Sequence, residues 1–118
     1  MVGPPRYSLS EAQALASGCR PQTSVVKKAA DFMCCGETEA IRHIARLIGT
    51  LTPGDFAEPW SARAADGSTI CADVYGKVDD YGLWYIKFRI VESRLAVLSC
   101  HDAAGDIVLA NRVRLRKG

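Results

Sequence analysis

The chain has 118 residues, a net charge of +2, and a composition of 48% hydrophobic and 24% charged side chains. These values exclude a disordered or fibrous protein and are typical of one soluble globular domain, which we expect to span residues 1–118. No apolar stretch approaches the ~20 residues of a membrane span, and the N-terminus lacks the pattern of a signal peptide. We therefore expect a cytoplasmic protein with no membrane partner.

The cysteines indicate a reducing environment. Five are present, with no Cys-x-x-Cys pair and none of the Cys/His spacings of zinc sites. The odd number, with Cys34 and Cys35 adjacent, argues against the disulfide framework of a secreted protein. We therefore predict reduced thiols, mostly buried, and neither a metal nor another cofactor.

The first half of the chain has helical periodicity. Ser8 and Glu11 have the spacing of a capping box, and Gly18 is placed to end the short helix that follows. A second helix is predicted over residues 25–35, capped by Ser24.

A third helix is predicted over residues 38–48, with His43 on its solvent-facing side as a surface residue in helical charge pairs. Thr52, Pro53 and Asp55 form a further helix-start pattern. Pro59 is expected to keep that fourth helix brief.

The second half of the chain has the alternating period of strands. The predicted strands cover residues 60–65, 68–75, 83–91, 95–101 and 106–115. Asp66-Gly67 and Glu92-Ser93 are predicted hairpin turns, and residues 76–82 a polar loop. The prediction is an α+β fold with three or four N-terminal helices packed on one face of a C-terminal antiparallel sheet of four to five strands.

The strand 84–90 alternates strictly. Its apolar residues Trp84, Ile86, Phe88 and Ile90 fall on one face, and Tyr85, Lys87 and Arg89 fall on the other. The polar face presents a phenol and two cations. It is therefore either an ordinary solvated basic face or the floor of an RNA site.

Cleavage of RNA without a metal requires a base for the 2′-hydroxyl proton, an acid for the leaving 5′-oxygen, and cations beside the phosphate. Tyr85, Lys87, Arg89 and His101 would provide these groups if they converge. The face on which His101 lies depends on the register between the two neighbouring strands.

Further polar residues have two interpretations each. The alternating Arg112, Arg114 and Arg116 would form either a solvated strand edge or a stripe that binds RNA phosphates. Asp73 would either accept structural hydrogen bonds, which we favour, or orient a catalytic group. Trp60 would be a core or rim aromatic or a platform for base stacking.

Several short motifs occur in the order in which a known protein family carries them. They are segments 51–56 (LTPGDF), 70–75 (ICADVY), 82–87 (GLWYIK) and 95–99 (LAVLS), together with the helical start at 7–18. Over about residues 6–102 the chain resembles the MqsR family of toxins. These are small RNA-cleaving proteins of bacterial toxin–antitoxin pairs, with a RelE-like α+β fold.

The resemblance implies a partly altered active site. The catalytic tyrosine of the family falls on Tyr85, and its neighbouring lysine falls on Lys87. At three further polar positions of the family, two lysines and one glutamine, this chain has Glu58, His101 and Ala72, respectively.

Three functions follow as hypotheses. The first is an MqsR-like endoribonuclease that cleaves single-stranded mRNA without a metal and is covered by a cognate antitoxin. Tyr85, His101 and Lys87 would be catalytic, and Arg89, Arg112 and Arg114 would bind phosphate. The second is a catalytically silent relative that binds RNA or a protein, and the third is a small-molecule-binding domain. Residues 106–118 extend past the usual end of the family.

Overall fold

A computed structural model describes residues 2–118. The helices are α1 (Leu9–Ala16), α2 (Thr23–Met33), α3 (Glu37–Thr50) and a short 3-10 helix (Pro53–Asp55). The strands are β1 (Phe56–Arg63), β2 (Thr69–Asp79), β3 (Gly82–Val91), β4 (Arg94–Asp102), β5 (Ile107–Val108) and β6 (Arg114–Leu115). Strands β1–β4 form one antiparallel sheet in chain order. The α+β prediction is confirmed, since three helices precede this sheet.

The helix caps agree with the sequence in part. The Ser8 hydroxyl accepts a hydrogen bond from the backbone N–H of Glu11 at 3.2 Å, as predicted for the start of α1. The predicted cap of α2 is wrong, because the helix already begins at Thr23 and Ser24 lies inside it. Helix α2 ends at Cys34, which adopts a left-handed conformation with a φ of 55°.

The short 3-10 helix does not end at the predicted proline. Its start is held by the Asp55 carboxylate, which accepts a hydrogen bond from the backbone N–H of Thr52 at 2.8 Å. It ends at Asp55, and β1 begins at Phe56 and runs through Pro59. A proline is tolerated there because β1 is an edge strand, and the N–H groups that point away from β2 need no partner in the sheet.

The predicted loop over residues 76–82 is wrong. Strand β2 continues to Asp79, with Lys77 opposite Trp84 and Val78 opposite Leu83. The reversal takes place in a tight turn, where the Asp79 carboxylate accepts a hydrogen bond from the backbone N–H of Tyr81 at 2.9 Å. The longer hairpin brings the start of β3 close to the end of β2.

The sheet has a hydrophobic layer on each side. The helices cover one side, where the core includes Ile44, Ile48, Tyr75, Trp84 and Phe88. On the other side lies a smaller cluster of buried residues: Ala57, Val74, Leu83, Ala103, Ile107 and Leu109. Among residues 2–118, no helix has both the length and the apolar character that crossing a membrane requires.

The C-terminal segment covers part of this second side. The predicted fifth strand over residues 106–115 is wrong, because β5 and β6 are two residues long and pair with each other. Gly76 makes room for them: a Cβ atom there would lie 3.1 Å from side-chain atoms of both Ile107 and Leu115. The backbone N–H of Ala110 also donates to the carbonyl of Phe56 at 2.8 Å.

The five cysteines are all free thiols. The expectation that they are mostly buried is wrong. Cys19 and Cys100 are buried, Cys35 and Cys71 are half-buried, and Cys34 is exposed at the end of α2.

Candidate active site on the open face of the sheet

Strand β3 divides its side chains as the alternation predicts. Trp84, Ile86 and Phe88 are 0% exposed and lie in the core under the helices. Tyr85 and Lys87 are half-buried and lie on the opposite face, where Tyr85 packs against the smaller apolar cluster. The polar face of this strand is therefore accessible between the edges of the sheet and the C-terminal segment.

A β-bulge in β4 places His101 on this same face. The register between β3 and β4 runs from Val91 opposite Arg94 to Phe88 opposite Val97, and then shifts so that Tyr85 lies opposite His101. The extra residue is Leu98. Without it, Tyr85 would face Cys100 and His101 would point into the core, because a shift of one residue exchanges the faces of a strand.

Tyr85 and His101 form a stacked pair. Their ring centroids are 5.4 Å apart, and the ring planes differ by 18°. The His101 Nδ1 lies 2.9 Å from the carbonyl oxygen of Asp102 and must donate to it, since a carbonyl only accepts. A neutral His101 therefore keeps the lone pair on Nε2, where it can accept a proton.

Two cations extend the site along β3. The Lys87 ammonium lies 3.8 Å from the ring centroid of Trp60, a cation–π contact. Burial lowers the pKa of Lys87. The Nε atom of Arg89 is buried and has no hydrogen-bond partner among residues 2–118.

A carboxylate borders the tyrosine. Glu58 is exposed on β1, and no hydrogen bond or ion pair of its carboxylate is found among residues 2–118. Burial raises the pKa of Tyr85, and the negative charge of Glu58 raises it further. The phenol therefore stays protonated at neutral pH and can donate a proton or a hydrogen bond.

Tyr85 and Glu58 line a cleft of about 380 Å³ between the sheet and the C-terminal segment. Its other lining residues are Ala57, Val74 and residues 103–108. The cleft has the size of a pocket for a small organic ligand or a nucleobase. Its lining combines apolar side chains, such as Val74 and Ile107, with the phenol of Tyr85 and the carboxylate of Glu58.

The predicted arrangement of Arg112, Arg114 and Arg116 along one strand is wrong, whereas their predicted binding of phosphate stays a prediction. Arg112 lies in the turn before β6 with a φ of 71°, and only Arg114 belongs to that strand. Arg114 pairs with Asp106 at 3.7 Å, and Lys117 pairs with Asp102 at 2.6 Å. These arginines therefore do not alternate along one strand face beside β3, and acidic neighbours offset part of the basic charge.

Asp73 has the structural environment that we favoured. It is 0% exposed, and its carboxylate accepts hydrogen bonds from the backbone N–H groups of Arg6 and Tyr7 at 2.9–3.0 Å. It lies on the helix-covered face of the sheet with Tyr75, opposite the candidate site. Its position ties the N-terminal segment to β2.

His43 is not the solvated surface residue that its helix position suggested. Its Nε2 atom lies 2.8 Å from the Asp79 carboxylate, and its side chain is 14% exposed. Burial is the largest single influence and raises the pKa of Asp79, but the hydrogen bonds from His43 and from the backbone N–H of Tyr81, with smaller contributions, together outweigh it, so the pKa is lowered overall. The nearby indole N–H of Trp84 also lowers the pKa of Asp79, although its geometry does not meet the criteria of a hydrogen bond. This pair locks α3 to the β2–β3 turn, away from the candidate site.

Sequence reasoning missed two features of the site. It did not predict the contact between Lys87 and Trp60, because the two residues are far apart in sequence and their pairing depends on the register of three strands. It also treated Glu58 as a lost catalytic position and missed that it lines a cleft.

Comparison with known proteins does not identify a family for this chain. No protein-family model matches the chain, and no curated protein is significantly similar to it.

Proposed function

We propose that this protein is an MqsR-like endoribonuclease that cleaves single-stranded mRNA without a metal. The observation that carries the proposal is the β-bulge at Leu98, which pairs His101 with Tyr85 beside Lys87 on an accessible sheet face. Bulges occur preferentially next to active sites, where they redirect a side chain. The resemblance over residues 6–102 independently puts the catalytic tyrosine at Tyr85.

The proposed reaction uses the groups on this face. Nε2 of His101 takes the proton of a 2′-hydroxyl, whose oxygen attacks the adjacent phosphorus. Lys87 and Arg89 stabilise the charge that accumulates on the phosphate oxygens. The protonated phenol of Tyr85 gives its proton to the leaving 5′-oxygen. The products are a 2′,3′-cyclic phosphate and a 5′-hydroxyl, and proton exchange with solvent restores both side chains.

The raised pKa of Tyr85 supports this division of roles. A phenol whose pKa is raised by burial and by Glu58 is protonated at neutral pH, so it cannot serve as the base, and it can still give its proton to an alkoxide leaving group, which is far more basic. His101 is then the base, with Nδ1 oriented by the Asp102 carbonyl. The cognate antitoxin, the cytoplasmic location and phosphate contacts of Arg112 and Arg114 remain part of this proposal.

The test is cleavage of a defined single-stranded RNA in the presence of EDTA. We expect the wild type to cut it, and both Tyr85→Phe and His101→Ala to lose about 100-fold or more in rate, the usual contribution of an acid or base. Lys27→Ala, an exposed lysine on α2, serves as the control for loss of basic charge and should cleave like the wild type. Equal rates for wild type and both site variants would contradict the proposal.

A second candidate function is RNA binding without cleavage. It is favoured by the contact between Lys87 and Trp60, which occupies a cation that a catalytic site would leave free. It is also favoured by Ala72, which is 0% exposed and has no polar group where the family has glutamine. Salt-dependent RNA binding with no turnover would support this function over the first.

A further inference from the structure

The cleft beside Tyr85 is built by a part of the chain that the resemblance does not cover. Residues 103–108 form one wall, and the sheet residues Ala57, Val74 and Tyr85 form the other. The C-terminal segment is held in place by Gly76, which lets Ile107 pack directly on the sheet. One wall of the cleft therefore comes from residues outside the segment that carries the resemblance.

Among residues 2–118, the lining of the cleft includes one charged group that has no internal partner and can form hydrogen bonds with a ligand. Glu58 is the carboxylate that lines it without a hydrogen bond or ion pair among residues 2–118, while the other lining carboxylate, Asp106, is engaged with Arg114 and with the backbone N–H of Lys117. An ionised carboxylate only accepts hydrogen bonds, and its two oxygens can accept from two adjacent donors.

Among the nucleobases, only one offers two adjacent hydrogen-bond donors to such a carboxylate. Guanine presents two adjacent donors, N1–H and the N2 amino group, on its Watson–Crick edge. Adenine and cytosine present one amino donor next to an acceptor nitrogen, and uracil presents one N–H between two carbonyl acceptors. A carboxylate would therefore pair fully with guanine and would meet at least one lone pair in each of the other three bases.

We propose that this cleft is a guanine-binding subsite in which Glu58 accepts hydrogen bonds from the Watson–Crick edge of the base. The base lies between the apolar walls at Ala57, Val74 and Ile107, and Tyr85 at the side of the cleft places the neighbouring phosphate near His101. The inference rests on the proposed ribonuclease function for its RNA context, and it assigns Glu58 the role of a specificity determinant.

The first experiment measures binding without any cleavage. The purified wild type is titrated with GMP, IMP, AMP, CMP and UMP, and binding is followed by backbone amide shifts in NMR spectra. We expect GMP to bind roughly 5- to 150-fold more tightly than AMP, CMP or UMP, the range for a bidentate base contact. IMP lacks the N2 amino group and should fall between GMP and AMP.

The matched variants are Glu58→Gln and Glu92→Gln. In Glu58→Gln, the new side-chain amide carries donors that oppose the N2 amino group, so the preference for GMP should be lost. Glu92 lies in the β3–β4 turn, seven residues along from Tyr85 and about 23 Å away at the usual rise of a strand. Its variant should keep the preference. Equal binding of GMP and AMP by the wild type, or an unchanged preference in Glu58→Gln, would overturn the inference.

The second experiment separates this inference from the proposed function. Cleavage sites are mapped on an RNA that contains all sixteen dinucleotides, with wild type and Glu58→Gln. Cleavage next to guanine that becomes unselective in Glu58→Gln supports both. Unselective cleavage by the wild type overturns the subsite and keeps the ribonuclease. GMP preference without any cleavage keeps the subsite and overturns the ribonuclease.

Discussion

The buried carboxylate of Asp73 makes a quantitative prediction about stability. It is the one charged side chain buried among residues 2–118, and it accepts three hydrogen bonds from the backbone N–H groups of Arg6 and Tyr7. In Asp73→Ala, two N–H groups lose their acceptors, and each costs about 1–3 kcal/mol if it stays out of water. We therefore expect the free energy of unfolding to fall by about 2–6 kcal/mol.

This loss is large beside the about 5–15 kcal/mol that stabilises a typical domain. Asp73→Asn keeps one acceptor oxygen and turns an amide towards Arg6, so its loss should be about half that of Asp73→Ala. The assay is equilibrium unfolding in urea, followed by tryptophan fluorescence. Asp80→Asn, in the exposed β2–β3 turn, is the control and should match the wild type.

Two outcomes distinguish a structural from a chemical role of Asp73. If Asp73→Asn unfolds at the wild-type urea concentration but loses RNA cleavage, the carboxylate acts in chemistry and not in anchoring the N-terminal segment, and the reasoning is refuted. If it loses stability and the folded fraction keeps its activity, the structural role stands.

Three further perturbations test other parts of the structure. His43→Gln should lower the free energy of unfolding at pH 7 by about 1.5–3 kcal/mol, because it weakens a hydrogen bond to the charged Asp79. The pKa of Asp79 is lowered from 3.8 in the folded protein, so its ionisation stabilises the fold above pH 3.8. This stabilisation is lost as the pH falls through the lower pKa of the folded state. The wild type and His43→Gln should therefore have similar stability in acid. Tyr75, whose pKa is raised to about 12 by burial and then by Asp73, should ionise late in an absorbance titration, and its contribution to stability should be lost as the pH rises from 10 towards 12. Gly76→Val should overpack the C-terminal segment at a cost of about 1–3 kcal/mol and speed tryptic cleavage within residues 106–118.

Each of these has its control. Tyr75→Phe should reduce the loss of stability above pH 10, to which Tyr85 with its raised pKa also contributes, and an unchanged alkaline profile would contradict the assignment. Gly105→Ala adds a Cβ atom that meets nothing within 4 Å, so it should leave the tryptic pattern unchanged. An unchanged acid profile for His43→Gln would show that its contact with Asp79 carries no stability.

The fold could be predicted where periodicity is strong. The alternation of Trp84 to Ile90 predicts β3, and both predicted reversals are found, at Asp66-Gly67 and at Glu92-Ser93. The first is longer than the predicted two-residue turn, since residues 65–67 connect the strands, and only Gly67 of the Asp66-Gly67 pair has a positive φ. Strands β5 and β6 are two residues long and have no measurable period, so a single strand was predicted in their place.

The candidate site could be predicted only in part. The side chains of Tyr85 and Lys87 follow from alternation, whereas the position of His101 depends on one extra residue, Leu98, in the middle of an apolar strand. No local pattern marks that bulge. The contact between Lys87 and Trp60, and the cleft at Glu58, arise from tertiary pairing, which the order of residues along one strand does not determine.

The central claim is that Tyr85 and His101 act together on RNA. The most direct measurement is the chemistry of the RNA ends after incubation of the wild type and Tyr85→Phe with a single-stranded substrate in EDTA. We predict 2′,3′-cyclic phosphate and 5′-hydroxyl ends for the wild type, reduced about 100-fold or more in the variant. Intact RNA with the folded wild type, or equal yields of those ends from both proteins, would contradict the claim.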